Sequence, residues 1–179
     1  MLERGAMPTM AEAIDAAKDY LRLDTSNDDA LIAGLVTGAM ERCEAEIGEV
    51  LVAREMREVL LAQAGWQWLA AGPVRSITGV SALAQDASEV ALAVGDFEIE
   101  LDSEARGRVR MRTLPPVSRI AVRYTSGRSN GWAGLPIGLR HGVLRLVAHW
   151  YAYREAGDVP AMPAAVSALW APMRRLRLS

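Results

Sequence analysis

Gly127-Arg128-Ser129-Asn130-Gly131 spells G-x-S-x-G, the pattern of a hydrolase nucleophile elbow. An elbow needs a strand before the serine, a helix directly after it, and the order Ser, then Asp or Glu, then His. The alternating residues up to Thr125 supply a strand, but Pro136 delays the helix. Both histidines, His141 and His149, precede Glu155 and Asp158, the acids that follow Ser129. The order is wrong for a triad, and the segment reads as a glycine-rich loop.

His141 and His149 sit eight residues apart on one expected helix. That is roughly 12 Å, too far to share a metal ion. Asp24, Ser26 and Asp28 imitate the start of a calcium loop, but position six is Asp29 rather than glycine and position twelve is Leu35 rather than Glu. Helix capping accounts for them better. Cys43, the single cysteine, falls on an apolar helix face and reads as a small core residue; alone it makes no internal disulfide and no multi-cysteine zinc site. No residue pattern calls for a cofactor or metal, and no catalytic set is expected.

The 179 residues are 51% hydrophobic and 23% charged, enough apolar material for a packed core. Apolar runs stay well below the roughly 18 residues of a membrane span. Residues 1–10 carry Glu3, Arg4 and Pro8 and no apolar secretory core, so no signal peptide and no membrane association are expected. The net charge of −2 hides a division: residues 1–104 hold 20 acids and 7 bases, residues 105–179 hold 2 acids and 13 bases. Such a split suits internal pairing, contact between copies, or a charged partner.

The elements that must position these residues follow from periodicity. A first helix is predicted over about 10–22, with Thr9 and Glu12 at capping-box spacing. A second, capped by Ser26 or Asn27, carries Leu31, Ile32, Leu35, Val36, Ala39, Met40, Cys43 and Ile47 and stops at Gly48. Gly34 and Gly38 inside it predict close helix packing, within a subunit or between subunits. From about 52 to 125 the period becomes two. Phe97, Ile99 and Leu101 alternate with Glu98, Glu100 and Asp102, and Val109 and Met111 alternate with Arg108, Arg110 and Arg112. This predicts a hairpin with an acidic and a basic strand, the symmetric pairing placing Asp102 by Arg108, Glu100 by Arg110 and Glu98 by Arg112. A long helix is predicted over about 137–155, then a short one from Pro163 to Pro172.

The expected fold class is α+β: a helical bundle built from both chain ends with a small antiparallel β unit inserted in the middle. Residues 1–50 are expected to be helical and residues 51–125 to form the inserted β unit. Residues 126–172 are expected to be helical again and to pack on the first segment, and residues 173–179 to form a basic docking tail. The tail mixes Met173, Leu176 and Leu178 with Arg174, Arg175 and Arg177. That composition predicts a peptide that docks on a protein groove, the alternative being a frayed solvated terminus.

Four stretches in order resemble the head–tail connector, or adaptor, proteins of long-tailed bacteriophages and gene transfer agents. They are Ala16 to Asp24 with Asp28 to Ile32; Trp68-Leu69 with Pro73 to Ile77; Val122 to Gly127 leading through Leu135-Pro136 to Trp150 to Glu155; and Pro163 to Val166 with Pro172 to Leu176. The likeness is thin between Ser81 and Pro116. It implies a structural, non-enzymatic protein that forms a ring of about twelve copies beneath the portal, extends the DNA channel and joins capsid to tail. The implied partners are the portal protein, a tail-side stopper or completion protein and further copies of the chain, with DNA passing through without specific binding. The implied location is the head–tail junction of a phage or gene transfer agent particle, assembled in the bacterial cytoplasm. By the same resemblance Trp170, Met173, Arg174, Arg175, Leu176, Arg177 and Leu178 are the expected portal contacts. Ser126, Gly127, Arg128, Ser129, Asn130, Gly131 and Trp132 form a loop expected to meet a neighbouring ring or the channel. Two competing readings are a nucleic-acid-binding protein using the basic C-terminal half and a small hydrolase using Ser129. Salt-dependent DNA affinity would favour the former and an esterase activity lost in Ser129→Ala the latter.

Overall fold

The computed structural model describes residues 1–154 and 161–174. The predicted helix end at Glu155 to Pro160 and the tail from Arg175 onward lie outside the described residues. The chain divides into two compact units, Met1–Met7 with Val52–Arg128, and Pro8–Leu51 with the chain from Ser129 on.

The first unit is all β. Its strands are β1 (Leu2–Arg4), β2 (Arg54–Leu61), β3 (Gln67–Trp68), β4 (Val74–Leu83), β5 (Glu89–Ala91), β6 (Phe97–Leu101), β7 (Gly107–Met111) and β8 (Arg119–Ser126). Five form one antiparallel sheet in the order β1-β2-β8-β4-β5, and three form a second in the order β3-β7-β6. The central strand β8 carries Ile120, Ala121, Val122 and Tyr124, all buried. Ile120, Val122 and Tyr124, two residues apart, line one face of that strand, and Ala121 is buried on the other.

The described residues of the second unit hold four α-helices: α1 (Ala11–Leu21), α2 (Asp29–Ile47), α3 (Ile137–Ala152) and α4 (Ala164–Trp170). Helices α2 and α3 pack against each other, and Ile32, Val36, Ala39, Met40, Cys43 and Ile47 on one and Leu139, Val143, Leu146 and Val147 on the other are buried in the helical core. Gly48 closes α2 in the left-handed conformation at φ 76°, as its position past the last apolar residue predicts. The predicted side-chain caps do not form. Met10 and Asp28 are the N-cap residues, neither with a side-chain cap bond. Glu12 instead accepts from the Ala133 N–H at 3.3 Å, and Asp28 accepts from the Tyr151 hydroxyl at 2.5 Å. Tertiary partners take the carboxylates that local capping would have used.

The expected helical bundle with a small β insertion is corrected. Among the described residues the fold is α+β, with four α-helices and two antiparallel sheets of eight strands in all. The β unit is not small and not wholly inserted, because Leu2–Arg4 pairs with Met56–Glu58 as its first edge strand. The last helix has only seven residues, too few to span a bundle.

Candidate functional site

The surfaces that could meet partners are the tail base, the 126–132 loop and the charged face of the three-stranded sheet. Trp170 lies at the end of α4 with 0% exposure, its indole N–H pointing at the Leu139 carbonyl at 3.4 Å. The residue expected to lead the portal contacts is therefore a core residue of the helical unit, and it seats the base of the tail. A 3-10 turn over Ala171–Met173 follows. Arg174 turns back to an ion pair with Glu46, which also pairs with Arg42 one turn earlier. Arg175, Leu176, Arg177 and Leu178 lie outside the described residues.

The loop divides between the units: Ser126, Gly127 and Arg128 belong to the β unit, Ser129 to Trp132 to the helical one. Gly127, at φ 153°, sits where a Cβ would strike the Val52–Ala53 backbone, so only glycine fits. Arg75 donates to the Gly127 carbonyl at 2.7 Å. Ser129 is buried; its hydroxyl donates to the Gly131 carbonyl at 2.7 Å and accepts from the Gly131 N–H at 3.2 Å. The G-x-S-x-G match is a hydrogen-bonded serine turn, with the hydroxyl committed to backbone. Trp132 is buried.

The histidines serve local packing. His149 Nε2 lies 3.2 Å from the Ala161 carbonyl and its ring tilts against Tyr153 at 5.0 Å; His141 meets Tyr20 edge-on at 6.4 Å. Among the described residues no cluster of His, Cys, Asp or Glu could hold a metal. Cys43 is buried, and burial together with Glu44 and Glu46 pushes its thiol far above the ordinary range, which keeps it an inert core residue. No described helix is long and apolar enough to cross a membrane.

The hairpin of β6 and β7 keeps the predicted parity but shifts register by two residues. Glu98 faces Arg110 and Glu100 faces Arg108, with Leu101 opposite Gly107. The turn causes the shift. Asp102 Oδ1 accepts from the Glu104 and Arg106 N–H groups at 2.9 and 2.8 Å, and Ala105 takes φ 55°. The Asp102 N–H also donates to the Arg106 carbonyl at 3.0 Å, which closes a three-residue loop where the symmetric pairing would need five, and Asp102 pairs with Arg106 at 2.7 Å instead of Arg108. A Cβ at Gly107, the first paired position, would press on the Leu69 and Val74 side chains at 2.9 and 3.1 Å.

The ladder runs Arg108–Glu100 at 2.7 Å, Arg110–Glu98 at 2.7 Å and Arg112–Glu98 at 2.6 Å. Arg112 first and Arg110 second hold the Glu98 carboxyl below its usual range. The guanidinium groups also lie over indole rings: Arg108 and Arg110 over Trp66 at 4.5 and 4.7 Å, and Arg106 over Trp68 at 4.7 Å. Sequence reasoning misses the role of Trp66 and Trp68. Their spacing of two, which puts both indoles on one face of a strand, is the available signal. On the larger sheet, Glu89 pairs with Arg57 and Arg123 at 2.7 and 2.8 Å, and Arg57 also pairs with Glu3 at 2.9 Å. Arg106, Arg108, Arg110, Arg112 and Arg123, all after residue 104, are thus neutralised within the β unit.

No protein-family model matches the chain, and no curated protein matches it. Solved structures do. A chain in the neck of an empty gene transfer agent (GTA) particle, computed with C6 symmetry, shares 26% identity at a TM-score of 0.78. A chain in the virion of a native GTA particle shares 27% at 0.79, and one in the neck of a native GTA particle, computed with C12 symmetry, shares 26% at 0.74. Each match covers 100% of this chain and 97% of the other.

Proposed function

We propose that this chain is a structural head–tail connector subunit. It forms a ring of about twelve copies beneath a portal, lengthens the DNA channel and offers its far side to a tail-side stopper or completion protein. One observation carries the reading: end-to-end likeness, both units included, to chains from GTA necks and a GTA virion. Two features of the chain support it. The serine of the one hydrolase-like motif is bonded within its own turn, and Arg108, Arg110 and Arg123 are paired with carboxylates rather than free for phosphate. A channel lining that holds DNA loosely must avoid free arginine forks.

In this reading the portal contact is made by the tail from Met173 on, with Arg174, Arg175, Leu176, Arg177 and Leu178. Trp170 acts from inside the helical unit by fixing where that tail leaves. The loop Ser126 to Trp132 meets the adjoining ring or the channel through its exposed residues, Arg128 and Asn130. Electron microscopy of particles, with the chain located by an antibody or tag, tests the proposal. Density for it in one layer between portal and tail is the expected result, and its absence from that layer overturns the reading.

A further inference from the structure

In the helical unit, the charges left after internal pairing are sorted by helix. Lys18 pairs with Asp29 at 2.6 Å, and Arg42 and Arg174 both pair with Glu46. Helix α3 contains no acid. Its Arg140 and Arg145 have no carboxylate partner among the described residues, and the Nε of Arg140 is buried without any partner. Asp15 and Asp19 on α1 and Glu41 on α2 are likewise exposed and, among the described residues, without a cation.

The two long helices also differ in relief. The outer stripe of α2 is Ala30, Gly34, Thr37, Glu41 and Ala45, small residues around one carboxylate. A Cβ at Gly34 would meet nothing within 4 Å. The outer stripe of α3 is Ile137, His141 and Arg145, with Ile137 72% exposed. Because α2 and α3 pack through their buried faces, these stripes look away from each other. A closed ring needs two different faces on one chain, each fitting the other.

We propose that the α3 stripe of one copy packs on the α2 stripe of the next, making the repeating contact of the ring. The inference rests on the ring reading above and assigns its interface. Small residues on α2 let a second helix approach to the 8–10 Å typical of tight packing. Ile137 supplies the apolar knob, and Glu41 meets the Arg145 guanidinium. Gly38, the other glycine of α2, is already in use, with Trp150 at 3.5 Å from where its Cβ would be. Gly34 is the one left for a neighbour.

The test uses full-length chain in assembled particles. Thr37→Cys and His141→Cys together place thiols on both stripes at exposed positions, while native Cys43 is buried. A short bis-maleimide should then yield a ladder of covalent multimers, and each single variant should not. A neck that contains the double variant yet gives no ladder overturns the interface and leaves the connector reading standing. Absence of the wild-type chain from the neck overturns both. Gly34→Leu gives a second readout: the free chain should keep its helix content and keep or raise its unfolding midpoint, yet fail to enter the neck. Normal incorporation of Gly34→Leu also overturns the interface.

Discussion

Gly142 on α3 and Trp170 at the end of α4 occupy one another's space: a Cβ on residue 142 would fall on the indole Nε1. The glycine is the floor of the tryptophan's seat, and the tryptophan is the last large apolar side chain before the tail. The relationship explains how a helix of seven residues holds its place. Gly142→Ala should cost about 1–3 kcal/mol through overpacking, and Trp170→Ala about 3–5 kcal/mol through the cavity left behind. Urea midpoints of the two variants check both values. Near-neutral midpoints would mean that α4 is not part of the cooperative core.

Truncation after Ala171 should leave the fold intact, because Trp170 is retained and the removed Arg174–Glu46 pair is an exposed one worth at most about 1 kcal/mol. Docking on a portal ring should be abolished. Co-sedimentation with portal, alongside circular dichroism of the truncated chain, separates loss of docking from loss of fold.

The arginine ladder selects register more than it stabilises. Arg108→Glu with Arg110→Glu puts like charges opposite Glu100 and Glu98 and should cost a few tenths to about 1 kcal/mol per pair. Adding Glu98→Arg and Glu100→Arg should restore part of that. Recovery stays incomplete because glutamates at 108 and 110 no longer stack on Trp66. Thermal unfolding of the double and quadruple variants at low and high salt measures the difference.

Acid should weaken the β unit through its paired carboxylates. Arg112 and Arg110 depress the Glu98 carboxyl, and Arg123 and Arg57 depress that of Glu89. A carboxyl with a lowered folded value contributes its stability above the unfolded value, near 4.3, and loses it as pH falls through the folded value. The unfolding midpoint should therefore begin to drop below about pH 5 and keep falling as pH passes through the lowered folded values. Glu89→Gln should flatten part of that fall, since Glu89 joins Arg57 to Arg123, which lie directly across β2 and β8 from each other.

Tyr124→Phe should cost about 1–3 kcal/mol. The buried Tyr124 hydroxyl donates to Glu58 at 2.9 Å and accepts from the Ala71 N–H at 3.3 Å, so its removal strips a partner from each. Burial first, then the Glu58 charge, raises the phenol above its ordinary value. A raised folded value means stability is lost as pH rises past the unfolded tyrosine value near 10. The variant should lack that alkaline component, and unfolding midpoints at about pH 8 and pH 11 read it.

What the sequence determined alone was local. Apolar residues at helical spacing placed α2 and α3, Gly48 marked a stop, and alternation of apolar with charged residues put the acids and arginines of β6 and β7 on one face. Periodicity and left-handed backbone preference act within a few residues, so they survive in the chain as pattern. Register, burial and partner choice did not. The hairpin slipped by two because Asp102 could close a tighter turn with the N–H groups of Glu104 and Arg106. Glu12 and Asp28 left their local caps for Ala133 and Tyr151, more than a hundred residues away. Leu2–Arg4, three residues with no readable period, became a strand only because the edge of β2 was open to it. Trp170 belongs to a basic, greasy end by sequence and to the core by structure, since only the glycine floor at residue 142 makes room for an indole there. Each of these is a competition between a near partner and a distant one, and only the folded chain brings the distant one within reach.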